Sequence, residues 1–201
     1  MRLQKRFKIG NRWVGGGQDS CFIIAEAGSK HNRNFKTAKK LIDVAADSGA
    51  DAIKFQTYSA QTLYPKSMKP VRLVGDRKRP FDIIKKIELP REWQKDLCEY
   101  AKKKNLIFLS TPFDKEAVDQ LDKLIPAFKW ASLELIDVLL LKYVAGKSKP
   151  LILSTGFYKL EDVQKSLNWI KKAGNNKVCL LQCTGLYPTN SKDVNLRAMV
   201  T

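Results

Sequence analysis

The stretch AIKFQT, residues 52–57, decides how this chain folds. Side chains along a β-strand point alternately to opposite faces, so Lys54 and Gln56 share one face while Ile53 and Phe55 share the other. A lysine inside an apolar strand is costly unless an anionic group meets it. The pattern therefore predicts a buried strand with an anion-binding face. The alternative is an edge strand with a solvated lysine.

Similar apolar stretches lie on both sides of AIKFQT and alternate with segments of helical periodicity. We predict strands at 21–26, 52–57, 106–111, 127–132, 150–156 and 177–184, and helices at 36–48, 90–104, 114–124, 136–145 and 160–173. This alternation predicts right-handed βαβ units on a parallel sheet. Residues 7–14 predict a hairpin about Gly10-Asn11, and residues 58–88 predict a long loop without regular structure.

Two α/β architectures fit this alternation: an open doubly wound sheet, and part of a (β/α)8 barrel. Neither GxGxxG nor GxxxxGK[ST] follows a strand, so the nucleotide-binding fingerprints of the open folds are absent. Polar residues instead stand at the carboxyl ends of the strands, where barrel enzymes place their chemistry, and we expect a TIM-type barrel with about six of its eight βα units present. The residues are Glu26, Lys54, Gln56, Ser110, Thr111, Lys129, Ser132, Ser154, Thr155, Gln182 and Thr184.

Composition limits the class of protein. A chain of 201 residues with 44% hydrophobic content can bury one sizeable core. The net charge of +17 comes from lysines at helical spacing, which indicates solvated helix faces and attraction for small anions rather than nucleic-acid binding. Without a long apolar run or a signal sequence, a cytoplasmic protein with no membrane partner is expected. Four cysteines and one histidine do not form a metal cluster of the usual Cys/His spacing.

The residue types at the strand ends suit a small phosphorylated or carboxylated anion bound beside a polyhydroxylated partner. Lys54 and Lys129 would neutralise the anion, while hydroxyl and backbone N–H groups would bind its oxygens. Glu26 or Glu134 could move a proton. The residues by themselves leave the reaction open.

Six motifs carry a resemblance to a known family. In order they are FIIAEAGSKHN (22–32), GADAIKFQT (49–57), LSTPFD (109–114), FKWASLE (128–134), KPLILSTG (149–156) and LLQCTGLYPT (180–189). Together they resemble the N-acetylneuraminate (sialic acid) synthase family over residues 7–200. Six ordered motifs are far more specific than any one of them.

The resemblance implies a reaction and a set of site residues. The reaction is the condensation of phosphoenolpyruvate with N-acetylmannosamine, or a related or 6-phosphorylated N-acylated hexosamine, to a nonulosonic acid and phosphate. The implied phosphoenolpyruvate-binding residues are Lys54, Thr111, Lys129, Ser132 and Ser154. The implied sugar-binding residues are Gln56, Glu134 and Tyr187, and the implied catalytic residues are Glu26, Lys54, Lys129 and Glu134. The resemblance also implies a divalent metal, Mn²⁺ or Mg²⁺, with its ligands outside this chain, and a homodimer in the full-length form.

The chain departs from the family pattern at several positions. Lys30 and Arg33 replace an asparagine and a glycine of the first motif, and Gln182 and Gly185 replace a histidine and an asparagine of the sixth. We expect a hairpin and linker at 1–17 and a partial barrel at 18–201, without the family's metal-binding histidines and antifreeze-like domain.

On this interpretation the chain is a truncated synthase that is inactive alone. Two alternatives stay open: another phosphoenolpyruvate-using barrel synthase of the deoxy-sugar-acid type, and a non-catalytic remnant acting as a scaffold.

Overall fold

A computed structural model of the protein describes residues 2–72, 77–186 and 188–200. Among them the strands are β1 (Arg6–Ile9), β2 (Arg12–Gly15), β3 (Ile24–Gly28), β4 (Ala52–Thr57), β5 (Val71–Arg72), β6 (Arg77–Lys78), β7 (Ile107–Pro112), β8 (Phe128–Trp130), β9 (Leu151–Ser154) and β10 (Val178–Leu181). The α-helices are α1 (Phe35–Asp47), α2 (Ala60–Leu63), α3 (Pro80–Ile87), α4 (Trp93–Lys103), α5 (Lys115–Asp122), α6 (Val138–Gly146) and α7 (Leu160–Lys172). The chain divides into two compact units, Cys21–Ile125 and the pair of segments Met1–Ser20 and Pro126–Thr201.

The unit Cys21–Ile125 is built on a parallel sheet of three strands in the order β3-β4-β7. The predicted strand 52–57 is β4, and it lies in the centre of the sheet, so the alternative of an edge strand is wrong. On its apolar face Phe55 stacks on Phe108, with ring centroids 5.7 Å apart. Helices α1 and α4 pack against the sheet and against each other, and their apolar stripes include the fully buried Ile42 and Leu97.

The segment predicted as a loop, 58–88, contains regular structure. Helix α2, the two-residue strands β5 and β6, and helix α3 all lie within it. The prediction of an irregular loop was wrong because these elements span two to eight residues, too few to produce a visible hydrophobic period. Helix α4 begins at Trp93 rather than at Pro90, because Pro90–Glu92 form a turn closed by a hydrogen bond from the Trp93 N–H to the Pro90 carbonyl.

The other unit contains the predicted hairpin and a second parallel sheet. Strands β1 and β2 pair antiparallel about Gly10, which has a positive φ of 59°. Strands β8, β9 and β10 pair in parallel in the order β10-β9-β8. Residues Ser132–Ile136, expected to be the end of a strand and the start of a helix, form a 3-10 turn, and α6 starts only at Val138. Asp137 sets that start by accepting a hydrogen bond of 2.9 Å from the Leu140 N–H.

The protein is therefore an α/β protein with parallel sheets. All six predicted parallel strands are present, three in each unit. The (β/α)8 barrel and its number of units stay predictions. No helix in the described ranges is both long and apolar enough to cross a membrane.

Candidate functional site

Four predicted site residues of the unit Cys21–Ile125 lie on one face of its sheet. Glu26 is in register with Lys54, and Gln56 is in register with Thr111. Because residues two apart on a strand share a face, Lys54 and Gln56 join the two pairs into one polar surface. We call these four residues the Lys54 face.

An ion pair lies at the centre of the Lys54 face. The Lys54 Nζ is 2.7 Å from the Glu26 Oε2, with the lysine side chain 7% exposed and the glutamate side chain 53% exposed. The neighbouring strand thus supplies the anionic group that a buried lysine needs. Because the carboxylate is half exposed, water can solvate it when another anion takes its place beside the ammonium group.

The opposite face of the same sheet holds a buried hydrogen-bond network. The Thr57 hydroxyl lies 2.7 Å from the Ser110 hydroxyl and accepts a hydrogen bond of 2.8 Å from the Gln94 Nε2 on α4. All three residues are buried. The sequence grouped Ser110 with the strand-end residues, but the register places it on the helix side. Ser110 hydrogen-bonds to Thr57, and Thr57 in turn attaches α4 to the sheet by accepting from Gln94.

Two residues that sequence reasoning missed extend the Lys54 face. The Ser29 hydroxyl donates to the Gln56 Oε1 at 3.5 Å and forms a short hydrogen bond with the Tyr58 hydroxyl. The Tyr58 hydroxyl oxygen also lies 3.4 Å from the Ile87 carbonyl oxygen. The signal in the sequence was their position, since Tyr58 directly follows the predicted strand 52–57 and Ser29 lies three residues after the predicted strand 21–26. Together they orient the Gln56 amide.

His31 lies in the loop after β3 and is buried. Its Nδ1 accepts a hydrogen bond of 3.0 Å from the Arg33 N–H, and its ring lies 6.2 Å from that of Phe55. Burial lowers the pKa of the His31 imidazole. As the acceptor of the Arg33 N–H, the His31 imidazole contributes to the conformation of this loop.

The same loop is attached to the end of α3 through a buried carboxylate. Glu88 lies 2.6 Å from the Lys85 Nζ and 3.7 Å from the Arg33 guanidinium, and it accepts a hydrogen bond of 2.9 Å from the Ala60 N–H. Burial alone would raise the pKa of Glu88. The hydrogen bonds from Lys85 and Ala60, with the charges of Lys85 and Arg33, outweigh it and lower that pKa.

In the other unit, Lys129 and Ser154 lie on one face of the β8-β9-β10 sheet. The buried Lys129 Nζ donates to the Ser154 Oγ at 2.5 Å and to the Trp130 carbonyl at 3.0 Å. Cys179 is in register with Ile152 and so with Lys129. Burial raises the pKa of the Cys179 thiol, and the charge of Lys129 opposes that shift. A buried ammonium group beside a hydroxyl group can bind an anionic ligand.

Two hydroxyl groups at the ends of these strands, both predicted as site residues, have different hydrogen-bond partners in the structure. The Thr155 hydroxyl donates to the Leu181 carbonyl at 2.9 Å, so it is used within the fold. The Ser132 Oγ instead accepts a hydrogen bond of 3.0 Å from the Gly156 N–H. We call Lys129, Ser132, Ser154 and the Gly156 N–H the Lys129 cluster. Its ammonium group and its two serine hydroxyl groups can donate hydrogen bonds to anion oxygens.

Glu134 lies in the 3-10 turn that follows the Lys129 strand. Burial, and then the charge of Asp137, raise the pKa of the Glu134 carboxyl. A carboxyl group that holds its proton more tightly is suited to donate a hydrogen bond or a proton to a sugar oxygen. The remaining predicted sugar contact, Tyr187, lies outside the described residues.

The described residues contain no candidate metal site. Across 2–72, 77–186 and 188–200, no group of three or more His, Cys, Asp or Glu side chains could hold a metal ion.

A cavity of about 660 Å³ lies beside β6 and α3 and is lined by Pro70, Arg77, Lys78, Arg79, Asp82, Ile83 and Lys86. It contains none of the predicted site residues.

Comparison with known proteins decides the family. A sequence model of the NeuB family matches residues 41–201, which is well over half of the chain. The chain belongs to the NeuB family.

Curated relatives of this NeuB family chain include named synthases. The N,N'-diacetyllegionaminic acid synthase of Campylobacter jejuni is 41% identical over 88% of the chain and 55% of the relative. The human N-acetylneuraminate-9-phosphate synthase is 33% identical over 94% of the chain and 53% of the relative. The chain spans about half the length of the curated relatives it matches.

A solved NeuB-type structure is similar along nearly the whole chain. The sialic acid synthetase of Leptospira borgpetersenii serovar Hardjo-bovis, solved in complex with citrate, has a TM-score of 0.87 and 30% identity, covering 99% of this chain and 66% of that one. The resemblance drawn from the six motifs is therefore confirmed at the level of the family.

Proposed function

We propose that this chain is part of a NeuB-type synthase that condenses phosphoenolpyruvate with an N-acylated hexosamine, either N-acetylmannosamine or a related or 6-phosphorylated sugar. The products are a nonulosonic acid and phosphate. The names of the curated relatives support this class of reaction, since they are synthases of legionaminic and N-acetylneuraminic acid derivatives. Homodimer formation and a cytoplasmic location belong to the same proposal.

The observation that carries the proposal is the Lys129 cluster. Phosphoenolpyruvate has a phosphate and a carboxylate, and Lys129 with the Ser132 and Ser154 hydroxyls offers one buried cation and two hydroxyl groups to such oxygens. In the unit Cys21–Ile125, Lys54 and the Thr111 hydroxyl of the Lys54 face are also suited to bind a phosphate or carboxylate group. Fixed donors of this kind stabilise the charge that develops as phosphate leaves.

The reaction divides into two bond-forming steps. The enol carbon of phosphoenolpyruvate attacks the carbonyl carbon of the open-chain sugar, whose oxygen takes up a proton. Glu134, with its raised pKa, is suited to give that proton. Water then adds to the resulting oxocarbenium-like carbon and loses a proton, for which Glu26 is the base we propose, and the C–O bond to phosphate breaks. Gln56 is proposed to orient the sugar.

The divalent metal expected from the family finds no suitable group among the described side chains. We therefore assign no step of the reaction to it. The proposed proton transfers are assigned to Glu134 and Glu26, and Lys54 and Lys129 are proposed to bind the phosphoenolpyruvate anion.

Calorimetric titration of phosphoenolpyruvate into the folded chain tests the proposal. We expect saturable binding that Lys129→Met weakens about tenfold or more, because a charged hydrogen bond to the anion is lost. Lys172→Met is the matched control, since Lys172 is an exposed lysine on α7. Sulfate in place of phosphoenolpyruvate shows how much of the binding is due to charge alone. A folded chain that does not bind phosphoenolpyruvate, or that binds it equally well without Lys129, would contradict the proposal.

A further inference from the structure

The segments that follow β9 and β10 run side by side. The Thr155 N–H donates to the Leu181 carbonyl at 3.2 Å, and its hydroxyl donates to the same oxygen at 2.9 Å. One residue further on, a methyl group placed on Gly156 would lie 3.3 Å from the Cys183 Cβ. The parallel pairing of the two strands thus continues as close contact beyond their ends.

The next contact in this series is between Phe157 and Gly185. A methyl group placed on Gly185 would lie 2.0 Å from the Phe157 Cζ, far closer than two carbon atoms can approach. The Phe157 ring therefore occupies the space where a side chain of residue 185 would stand. With the ring in this position, only glycine fits at 185.

The position of Phe157 requires a strained backbone conformation. Its backbone φ is 72°, in the left-handed region that side chains other than glycine rarely adopt, and its side chain is 61% exposed. Backbone strain of this kind is concentrated at functional sites. The exposed aromatic ring on this strained backbone offers an apolar surface to a ligand.

The neighbours of Phe157 in the chain belong to the Lys129 cluster. Gly156 donates its N–H to the Ser132 Oγ, and Ser154 accepts from the Lys129 Nζ. An apolar ring thus follows directly after the groups proposed to bind the anion. A ligand bound at these groups and extending along the segment after β9 would pass from polar to aromatic contacts.

We propose that Phe157, seated on Gly185, determines the sugar specificity of the synthase by contacting an apolar acyl or methyl substituent of the sugar. This inference rests on the proposed function. A sugar with a hydroxyl group in place of that substituent leaves the ring without an apolar partner, and such differences change affinity about tenfold or more.

Titration of sugars into the chain saturated with phosphoenolpyruvate tests the specificity. N-acetylmannosamine and mannose are the probes, and the variants are Phe157→Ala, Phe157→Leu and the control Leu160→Ala, an exposed apolar residue of α7. We expect the original chain and the control to prefer N-acetylmannosamine. Phe157→Ala should reduce that preference about tenfold with mannose affinity unchanged, and Phe157→Leu should retain most of it.

Thermal unfolding tests the pairing of the two residues. Gly185→Asn should lower the melting temperature because the ring and the amide compete for one space, and adding Phe157→Ala should restore it. Failure of the second change to rescue the first would show that the ring does not occupy this space, and would overturn the inference.

The results separate the two proposals. If phosphoenolpyruvate binds in a Lys129-dependent way but Phe157→Ala weakens both sugars equally, or no sugar binds, the inference on Phe157 is overturned while the anion site stands. If phosphoenolpyruvate itself does not bind, the proposed function fails, and the specificity inference fails with it.

Discussion

Glu26 and Lys54 are in register on adjacent parallel strands, and their side chains meet at 2.7 Å. The two partners differ in their surroundings, since the lysine is buried and the carboxylate is half exposed. Removing one partner therefore does not cost the same as removing the other. A carboxylate left alone can be hydrated, whereas an ammonium left alone stays buried without its counter-charge.

We expect Glu26→Gln to destabilise the protein more than Lys54→Met. The first change leaves the Lys54 ammonium buried beside a neutral amide and should lower the free energy of unfolding by about 2 kcal/mol, while the second should cost under about 1 kcal/mol. Urea unfolding of the two variants and of the double variant measures both values. Equal losses, or a larger loss for Lys54→Met, would show that the burial of the lysine does not control the pair.

Ser154→Ala should weaken phosphoenolpyruvate binding without unfolding the protein. The change removes the hydroxyl that accepts from Lys129, so the ammonium loses one of the contacts that hold it in place. We expect the dissociation constant to rise about tenfold, the effect of one hydrogen bond to a charged group. Calorimetric titration measures it.

Ser166→Ala is the matched control for this prediction, because Ser166 is a buried serine of α7 whose hydroxyl donates to the Asp162 carbonyl. If both variants bind phosphoenolpyruvate alike, Ser154 has no part in the anion site.

His31 should make stability depend on pH. Burial lowers its pKa below the ordinary value of 6.5, so the unfolded chain binds a proton more readily than the folded one. The contribution is fully present above pH 6.5 and is lost as the pH falls from there toward the lowered folded pKa. Protonation at Nδ1 would also remove the acceptor of the Arg33 N–H.

His31→Asn is the variant that isolates this effect. The asparagine carbonyl oxygen can accept the Arg33 N–H but cannot take up a proton in this range. The free energy of unfolding, measured from about pH 8 to pH 5, should fall for the original chain and stay flatter for the variant. Parallel curves would assign the pH dependence to other groups.

Two variants of Arg33 should distinguish the effect of backbone strain on stability from the effect of side-chain contacts. Its φ is 53°, in the left-handed region, while its guanidinium donates to the Lys85 carbonyl at 2.9 Å. Arg33→Ala removes the contact and keeps the strain, and Arg33→Gly removes both. We expect the glycine variant to be more stable than the alanine variant by about 1 kcal/mol. Chemical denaturation compares the two, and an alanine variant of equal or greater stability would contradict the strain.

Arg33 also explains one departure from the family pattern. The family has glycine where this chain has arginine, and the left-handed φ shows why glycine is suited to the position. From the sequence alone this replacement was only a departure from the family pattern. The structure shows that the arginine makes compensating contacts with the Lys85 carbonyl and the Glu88 carboxylate at the end of α3.

The order and type of the elements could be predicted because they follow from local patterns. Alternation of period two and helical periodicity located all six parallel strands, and AIKFQT matched β4 residue for residue. The short elements between 58 and 88 were missed because two to eight residues carry too little periodicity. Ser29 and Tyr58 were missed because their hydroxyl groups meet across 29 positions of sequence.

The sequence by itself determined the α/β class, the strands and the polar residues at their carboxyl ends, since these depend on neighbours a few positions apart. Tertiary structure decided which of those residues act together. Strand register placed Thr111 beside Gln56, put Ser110 on the same face as Thr57, and put Lys129 in contact with Ser154. It also seated Phe157 on Gly185. Contacts of this kind depend on how distant strands align, and the hydrophobic period of a single segment contains no information about that alignment.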